Sequence, residues 1–183
     1  MGIPKPNGTA NLPIISDKPS APPLPILLSP ALTPREAITD ALSRFLIGMD
    51  NNSPPLFDSA FTPDARWELN GRVLEGLPTI HAECYDATIL KLDTTHSVSN
   101  IRIEIVEGGK EARLEAVYVA AHYRGGEGGI EGSPRFVTGG IYTADLVGGD
   151  EEGDGLWRMK VFRMKSIWTE GFRSVMGVHR IIK

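Results

Sequence analysis

Thr94-Thr-His-Ser-Val-Ser-Asn-Ile-Arg-Ile-Glu-Ile105 and Leu114-Glu-Ala-Val-Tyr-Val-Ala-Ala-His122 are the two runs on which the rest of the chain turns. Both alternate, and alternation in an extended chain sends successive side chains to opposite faces. The first run thereby places His96, Val98 and Asn100 on one face, and the second places Tyr118, Ala120 and His122 on one face. Between them Glu107-Gly-Gly-Lys-Glu111 carries the glycines of a tight reversal, so the pair reads as a hairpin. Two antiparallel strands with one histidine each direct both imidazoles toward a shared space lined by small and apolar side chains. Such a space suits proton transfer near neutrality.

Working outward, Thr33-Pro34-Arg35-Glu36 opens a helix: a threonine cap, proline at the first helical position, and an acid three residues on. The apolar set Ile38, Ala41, Leu42, Phe45 and Met49, widened by Ala37 and Leu46, recurs at helical steps and predicts one core-facing stripe. Asp50 ends that helix, where the dipole disfavours an anion, and Asp50-Asn51-Asn52 also reads as an ordinary terminating turn. Ser53-Pro54-Pro55 caps a short second helix through Phe57 and Phe61, and Thr62-Pro63-Asp64 reads as a turn. Strands are expected over 65–69 and at Val73-Leu74 around the Asn70-Gly71 hairpin dipeptide. A third helix is expected from Gly76 to about Leu92, with Ile80, Cys84, Ala87, Ile89 or Thr88, and Leu90 inward and His81 on the solvent side. Cys84, on the apolar stripe, reads as core rather than nucleophile.

Beyond the hairpin, the glycine-rich segment 124–134 lacks the helix and the Lys-Ser or Lys-Thr of a phosphate loop and reads as a long connection. Phe136 to Val147 and Leu156 to Ile167 read as strands, separated by an acidic turn over 148–155 without the ligand spacing of a calcium loop. The tail from Trp168 onward is expected to hold a short helix closing the pocket or a dimer contact. Residues 1–32, with eight prolines, form an extended or disordered arm ahead of one domain spanning 33–183.

At 183 residues, one core suffices without metal or disulfide staples. A net charge of -4 gives no basic field for a nucleic acid, and one cysteine excludes an internal disulfide and a cysteine-based zinc site. Without a long apolar run or an export signal, no membrane partner and a cytoplasmic location are expected.

The order of elements, together with His96-x-x-x-Asn100, Ala121-His-Tyr-Arg124, Gly139-Gly-x-Tyr-x-x-x-Leu146 and Trp157-Arg-Met-Lys160, resembles the SnoaL-like branch of the nuclear-transport-factor-two-like superfamily over about residues 33–172. The resemblance implies an α+β cone in which three N-terminal helices pack on a curved, mostly antiparallel sheet. It implies homodimerisation and chemistry without a cofactor or metal, although two histidines and an acid can in principle hold iron or zinc. Compared with the scytalone and bile-acid dehydratases of that branch, it pairs Asp50 with His96 as the acid-base dyad. It adds His122 and Asp145 as residues that orient a substrate oxygen or water. Lining residues implied in the same way are Tyr118, Tyr142, Thr143, Val98, Met49, Leu69, Trp168 and Phe172. Met49 and Leu69 stand where those dehydratases carry tyrosines, and an asparagine there is Asp145 here. These changes point to a hydrophobic polycyclic, polyketide or terpenoid substrate undergoing dehydration, isomerisation, cyclisation or rearrangement in secondary metabolism. The competing reading is a non-catalytic ligand-binding or dimeric interaction module of the same fold.

Overall fold

The computed structural model describes residues 23–148 and 154–177. The first twenty-two residues of the proline-rich arm, the middle of the acidic turn and the end of the tail lie outside the described residues. Helix α1 (Pro34–Asp50) begins as its signal requires, with the Glu36 carboxylate accepting hydrogen bonds from the Thr33 amide at 2.8 Å and the Thr33 hydroxyl at 2.7 Å. Its stripe is buried at Ile38, Ala41, Leu42, Phe45, Leu46 and Met49. Helix α2 (Pro54–Asp58) buries Phe57, and Phe61 belongs to the strand that follows rather than to the helix.

Six strands make one mixed sheet: β1 (Phe61–Leu69), β2 (Arg72–Glu75), β3 (Leu92–Ile105), β4 (Glu111–Arg124), β5 (Arg135–Val147) and β6 (Arg158–Gly171). Their order is β2-β1-β6-β5-β4-β3, with β1 and β6 parallel and every other neighbour antiparallel. Such a sheet, curved over α1, is the expected α+β cone. Its core is aromatic. Phe45 meets Phe57, Phe61, Trp67 and Phe162 with ring centroids 4.9 to 5.7 Å apart, three of these contacts being edge-on.

Three local expectations are corrected. Thr62-Pro63-Asp64 is not a turn outside the sheet but an irregularity within β1, where pairing with β6 slips between Phe61 and Arg66. The third helix is only α3 (Leu77–Ile80), followed by a π-helical turn over His81–Asp86 and a 3-10 turn over Ile89–Lys91. The wider turn puts Tyr85, five residues after Ile80, into the core, while Leu90 is exposed. In β6 the expected alternation of Trp157, Met159, Val161, Arg163 and Lys165 against Arg158, Lys160, Phe162, Met164 and Ser166 fails because pairing slips between Asp145 and Leu146. Met159 and Phe162, an odd and an even position, both become fully buried, and Arg163 and Lys165 face outward.

Candidate acid-base site

Cross-strand partners in a sheet share a face, so the register of β3 on β4 defines the inner wall. Thr94 pairs with His122, His96 with Ala120 and Val98 with Tyr118. On the other side of β4, His122 pairs with Phe136, Ala120 with Thr138 and Tyr118 with Gly140. The expected sharing of a face by the two histidines is therefore what the strands produce. Their rings lie 5.6 Å apart, nearly perpendicular, with only the methyl of Ala120 standing opposite His96. Asn100 leaves that face. It adopts a left-handed φ of 53°, and the register slips between Ser99 and Arg102.

Asp50 is brought to this wall by the last turn of α1. Its Oδ1 lies 2.6 Å from His96 Nδ1 and accepts the Thr94 hydroxyl at 2.8 Å, while Oδ2 accepts the His96 backbone N–H at 2.7 Å. Three donors offset the unfavourable helix end. Burial raises the Asp50 carboxyl, but the hydrogen bonds and charge of His96, with Thr94, more than reverse this and leave it below its ordinary value. An ionised carboxylate only accepts, so Nδ1 of His96 carries a proton, and in the neutral form of the ring Nε2 holds the lone pair. The His96 side chain is 6% exposed and that of Asp50 21%, which sets the pair just beneath the surface.

His122 is held differently. Its Nδ1 donates to the Phe136 carbonyl at 3.0 Å. Burial, first, and the neighbouring His96 lower its pKa below the ordinary histidine value, so the ring is neutral near pH 7 with Nε2 an acceptor. Beyond it Leu92, Phe136 and Val175 form a small second core, which seats a 3-10 turn over Arg173–Met176 from the tail.

Met49, Tyr118 and Tyr142 belong to the main hydrophobic core, and Leu69 and Val98 pack against it. Tyr118 and Tyr142 stack face to face, centroids 4.0 Å apart and planes 2° from parallel. The room for two rings comes from small neighbours, since Tyr118 faces Gly140 and Tyr142 faces Ala116 across the strands. Desolvation, with Tyr118 and Asp50 adding to it, holds the Tyr142 phenol well above its ordinary value.

Four expected site residues lie elsewhere. Asp145 and Thr143 point to the outer face of β5, where Asp145 bonds Arg163 at 2.8 Å and Arg113 at 3.4 Å. They line an open outer groove of about 820 Å³ that also involves Arg35 and Arg102 and excludes both histidines. A second outer concavity of about 600 Å³ shares Thr143 and Arg163 with it. Trp168 is turned outward because pairing of β5 with β6 slips at Gly139–Gly140, and a Cβ on Gly139 would run into its indole. Phe172, just past β6, is 63% exposed. Conversely, Thr94, which bonds Asp50, was not among the expected site residues, although alternation from His96 places it on the same face.

Among the described residues no three or more His, Cys, Asp or Glu side chains are grouped to hold a metal ion, and no helix is long and apolar enough to cross a membrane. Cys84 packs against the core, and desolvation pushes its thiol up to about 12. His81 bonds Asp58 at 2.7 Å, away from the dyad.

Comparison with known proteins agrees with the fold. The family model of the SnoaL-like domain matches residues 30–163. A terrestric acid biosynthesis cluster protein E from Penicillium crustosum is 44% identical over 158 residues, covering 86% of this chain and 99% of that one. Among solved structures, a scytalone dehydratase candidate from Novosphingobium aromaticivorans is similar with a TM-score of 0.64 at 21% identity, covering 76% of this chain and 87% of its own. A hexachlorocyclohexane dehydrochlorinase from Novosphingobium barchaimii is similar with a TM-score of 0.59 at 20% identity, covering 81% and 94%.

Proposed function

The chain belongs to the SnoaL-like domain family, and from that premise we propose that it is a cofactor-independent lyase or isomerase of secondary metabolism acting on a small hydrophobic, carbonyl-bearing metabolite. The observation that carries this is the Asp50–His96 pair, with a protonated Nδ1 tied to a carboxylate and a basic Nε2 left over. The 44% identical relative from a biosynthesis cluster supports a metabolite as substrate, and the dehydratase and dehydrochlorinase neighbours share the fold on which eliminations are carried out.

In the elimination this favours, His96 Nε2 takes a proton from the carbon next to a substrate carbonyl. The C–H electron pair becomes a C=C bond as the C–O bond to a β-hydroxyl breaks. The same proton then passes from the imidazolium to the departing oxygen, releasing water. Asp50 keeps His96 in the reactive tautomer and stabilises the imidazolium, a contribution of about 10²–10⁴-fold for acid-base groups of this kind. Neutral His122 accepts a hydrogen bond from the substrate hydroxyl before it leaves. Met49, Leu69 and Val98 surround the substrate with hydrocarbon, and entry runs past Asp50, the exposed edge of the pair. The same reading includes a homodimer through the outer sheet face, where Val119 and Trp168 are exposed; sedimentation showing only monomer removes that part.

The test is a panel of fused-ring β-hydroxy ketones with enone absorbance as readout. Turnover that falls at least a hundredfold in His96→Ala, with unchanged melting temperature, supports the proposal. Turnover of no member of the panel, with ligands bound unchanged, makes the protein a binding module instead.

A further inference from the structure

The hydrogen bonds that end on Asp50 all come from one edge of the sheet. β3 closes the order β2-β1-β6-β5-β4-β3, so no described strand lies beyond it and its outward backbone groups are open to other partners. The His96 N–H reaches Oδ2 in this way, and the side chains of Thr94 and His96, which share a face, both converge on Oδ1. Oδ1 thus carries two donors, the ring Nδ1–H at 2.6 Å and the Thr94 hydroxyl at 2.8 Å, while Oδ2 carries one. The direction of the threonine bond is fixed, because an ionised carboxylate only accepts. The Thr94 hydroxyl makes no other hydrogen bond among the described residues.

Thr94 is not needed to aim the carboxylate. The ring bond and the backbone bond, one on each oxygen, already fix its plane and its rotation. What the hydroxyl adds is electrostatic. Two donor hydrogens on one oxygen carry like partial charges and draw on the same electron density, so each weakens the other's bond. Burial pushes the Asp50 carboxyl up, and the bonds from His96 and Thr94 bring it below its ordinary value. We infer that Thr94 is a positioning residue that tempers the dyad: by sharing Oδ1 with the ring, its hydroxyl limits how hard Asp50 draws on the Nδ1 proton of His96. The inference rests on the acid-base reading for its use in catalysis. There His96 must both take a proton and return it, and the two demands oppose each other. An Asp50 that pulled harder on Nδ1–H would make Nε2 a better base and the imidazolium a poorer acid. The other titratable groups that feel Asp50 are His122 from β4 and Tyr142 from β5, and neither is hydrogen-bonded to it.

The test needs no substrate. In the full chain carrying ¹⁵N-histidine, the proton on His96 Nδ1 gives a downfield NMR resonance, assigned by its loss in His96→Gln. Thr94→Val exchanges the hydroxyl for a methyl of similar size. The expected result is a further downfield move of that resonance as Oδ1 is left to the ring alone, with the Asp50 carboxyl titrating about half a unit to one unit higher. Thr94→Ser, which keeps the hydroxyl, returns both to their wild-type positions. A threonine that merely held the strand in place gives the opposite sign: the His96–Asp50 bond lengthens in Thr94→Val and the resonance moves upfield. That result overturns the inference, as does a resonance that stays in place or one that moves equally in Thr94→Ser. Thr94→Ala, also without the hydroxyl, gives the same reading if the valine variant does not fold. Asp50→Asn separates the two readings. A resonance untouched by Asp50→Asn removes the acid-base dyad itself, whereas one that Asp50→Asn displaces and Thr94→Val does not removes Thr94 alone.

Discussion

Asp50 spends both carboxylate oxygens on His96, one on the ring nitrogen at 2.6 Å and one on the backbone N–H at 2.7 Å. The second bond fixes the strand relative to the helix, and the first fixes the imidazole. A carboxamide can accept the backbone N–H but not hold the ring in the same tautomer with the same charge. Asp50→Asn is therefore expected to fold normally and lose about 10²–10⁴-fold in kcat, with little added by a second change at His96. Single and double variants measured on one substrate check this. Additive losses would show that the two residues act separately.

His122 gives the stability profile a sign. Its folded-state pKa is lowered, so between that lowered value and about 6.5 the unfolded chain binds more protons than the native one. The stabilisation from keeping His122 neutral is complete above about pH 6.5 and is lost as pH falls toward the folded value. Asp50, also lowered, contributes in a separate window, below about pH 4. Melting temperature is expected to drop between pH 7 and 5 in the wild type and to drop less in His122→Gln, which does not titrate. Calorimetric scans at half-unit pH steps would show the two curves converging at low pH; parallel curves would remove His122 as the cause.

Asp145 is expected to be dispensable for chemistry. Its partners Arg113 and Arg163 are on the outer face and partly exposed, where such pairs contribute about 0–1 kcal/mol. Asp145→Ala should leave kcat within about twofold, by comparison with the losses expected at the dyad, and should lower stability only slightly in urea titration. A hundredfold loss of kcat would return Asp145 to the mechanism.

The legible part of this molecule is what local pattern dictates. The α1 stripe, its cap and the β3–β4 hairpin follow from periods of 3.6 and 2, so His96 and His122 could be placed on one wall. The partnership of Asp50 with His96 came from resemblance, since nothing local distinguishes it from a terminating Asp-Asn-Asn turn. What the pattern missed has a common cause in register slips. One at Gly139–Gly140 sends Trp168 outward, and one at Asp145–Leu146 exchanges the faces of β6. A strand read from an even period carries its phase through a slip, and each slip inverts every later assignment. The Asp145 error was different. Alternation already set it opposite Tyr142, and the resemblance overrode that placement.

Gly48 supplies a prediction in which two effects oppose each other. Alanine in place of glycine within a helix gains about 1 kcal/mol from backbone entropy. Gly48, however, lies where α1 meets α2, and an added Cβ would sit 2.5 Å from the Phe57 backbone nitrogen and 2.7 Å from its Cα. Backbone atoms cannot rotate aside as a flexible side chain does. Relief requires α2 to move, disturbing Phe57, which is fully buried against Phe45, Phe61 and Tyr85. Overpacking of this kind costs about 1–3 kcal/mol, which exceeds the helical gain through most of its range. Gly48→Ala is thus expected to lose up to about 2 kcal/mol net in urea unfolding. The last turn of α1 also carries Asp50, two residues after Gly48, so a shift of this junction should loosen the dyad and lower kcat with little change in KM. A variant that is stabilised instead would mean that the two helices separate at no cost, and that the end of α1 is not what holds Asp50 against His96.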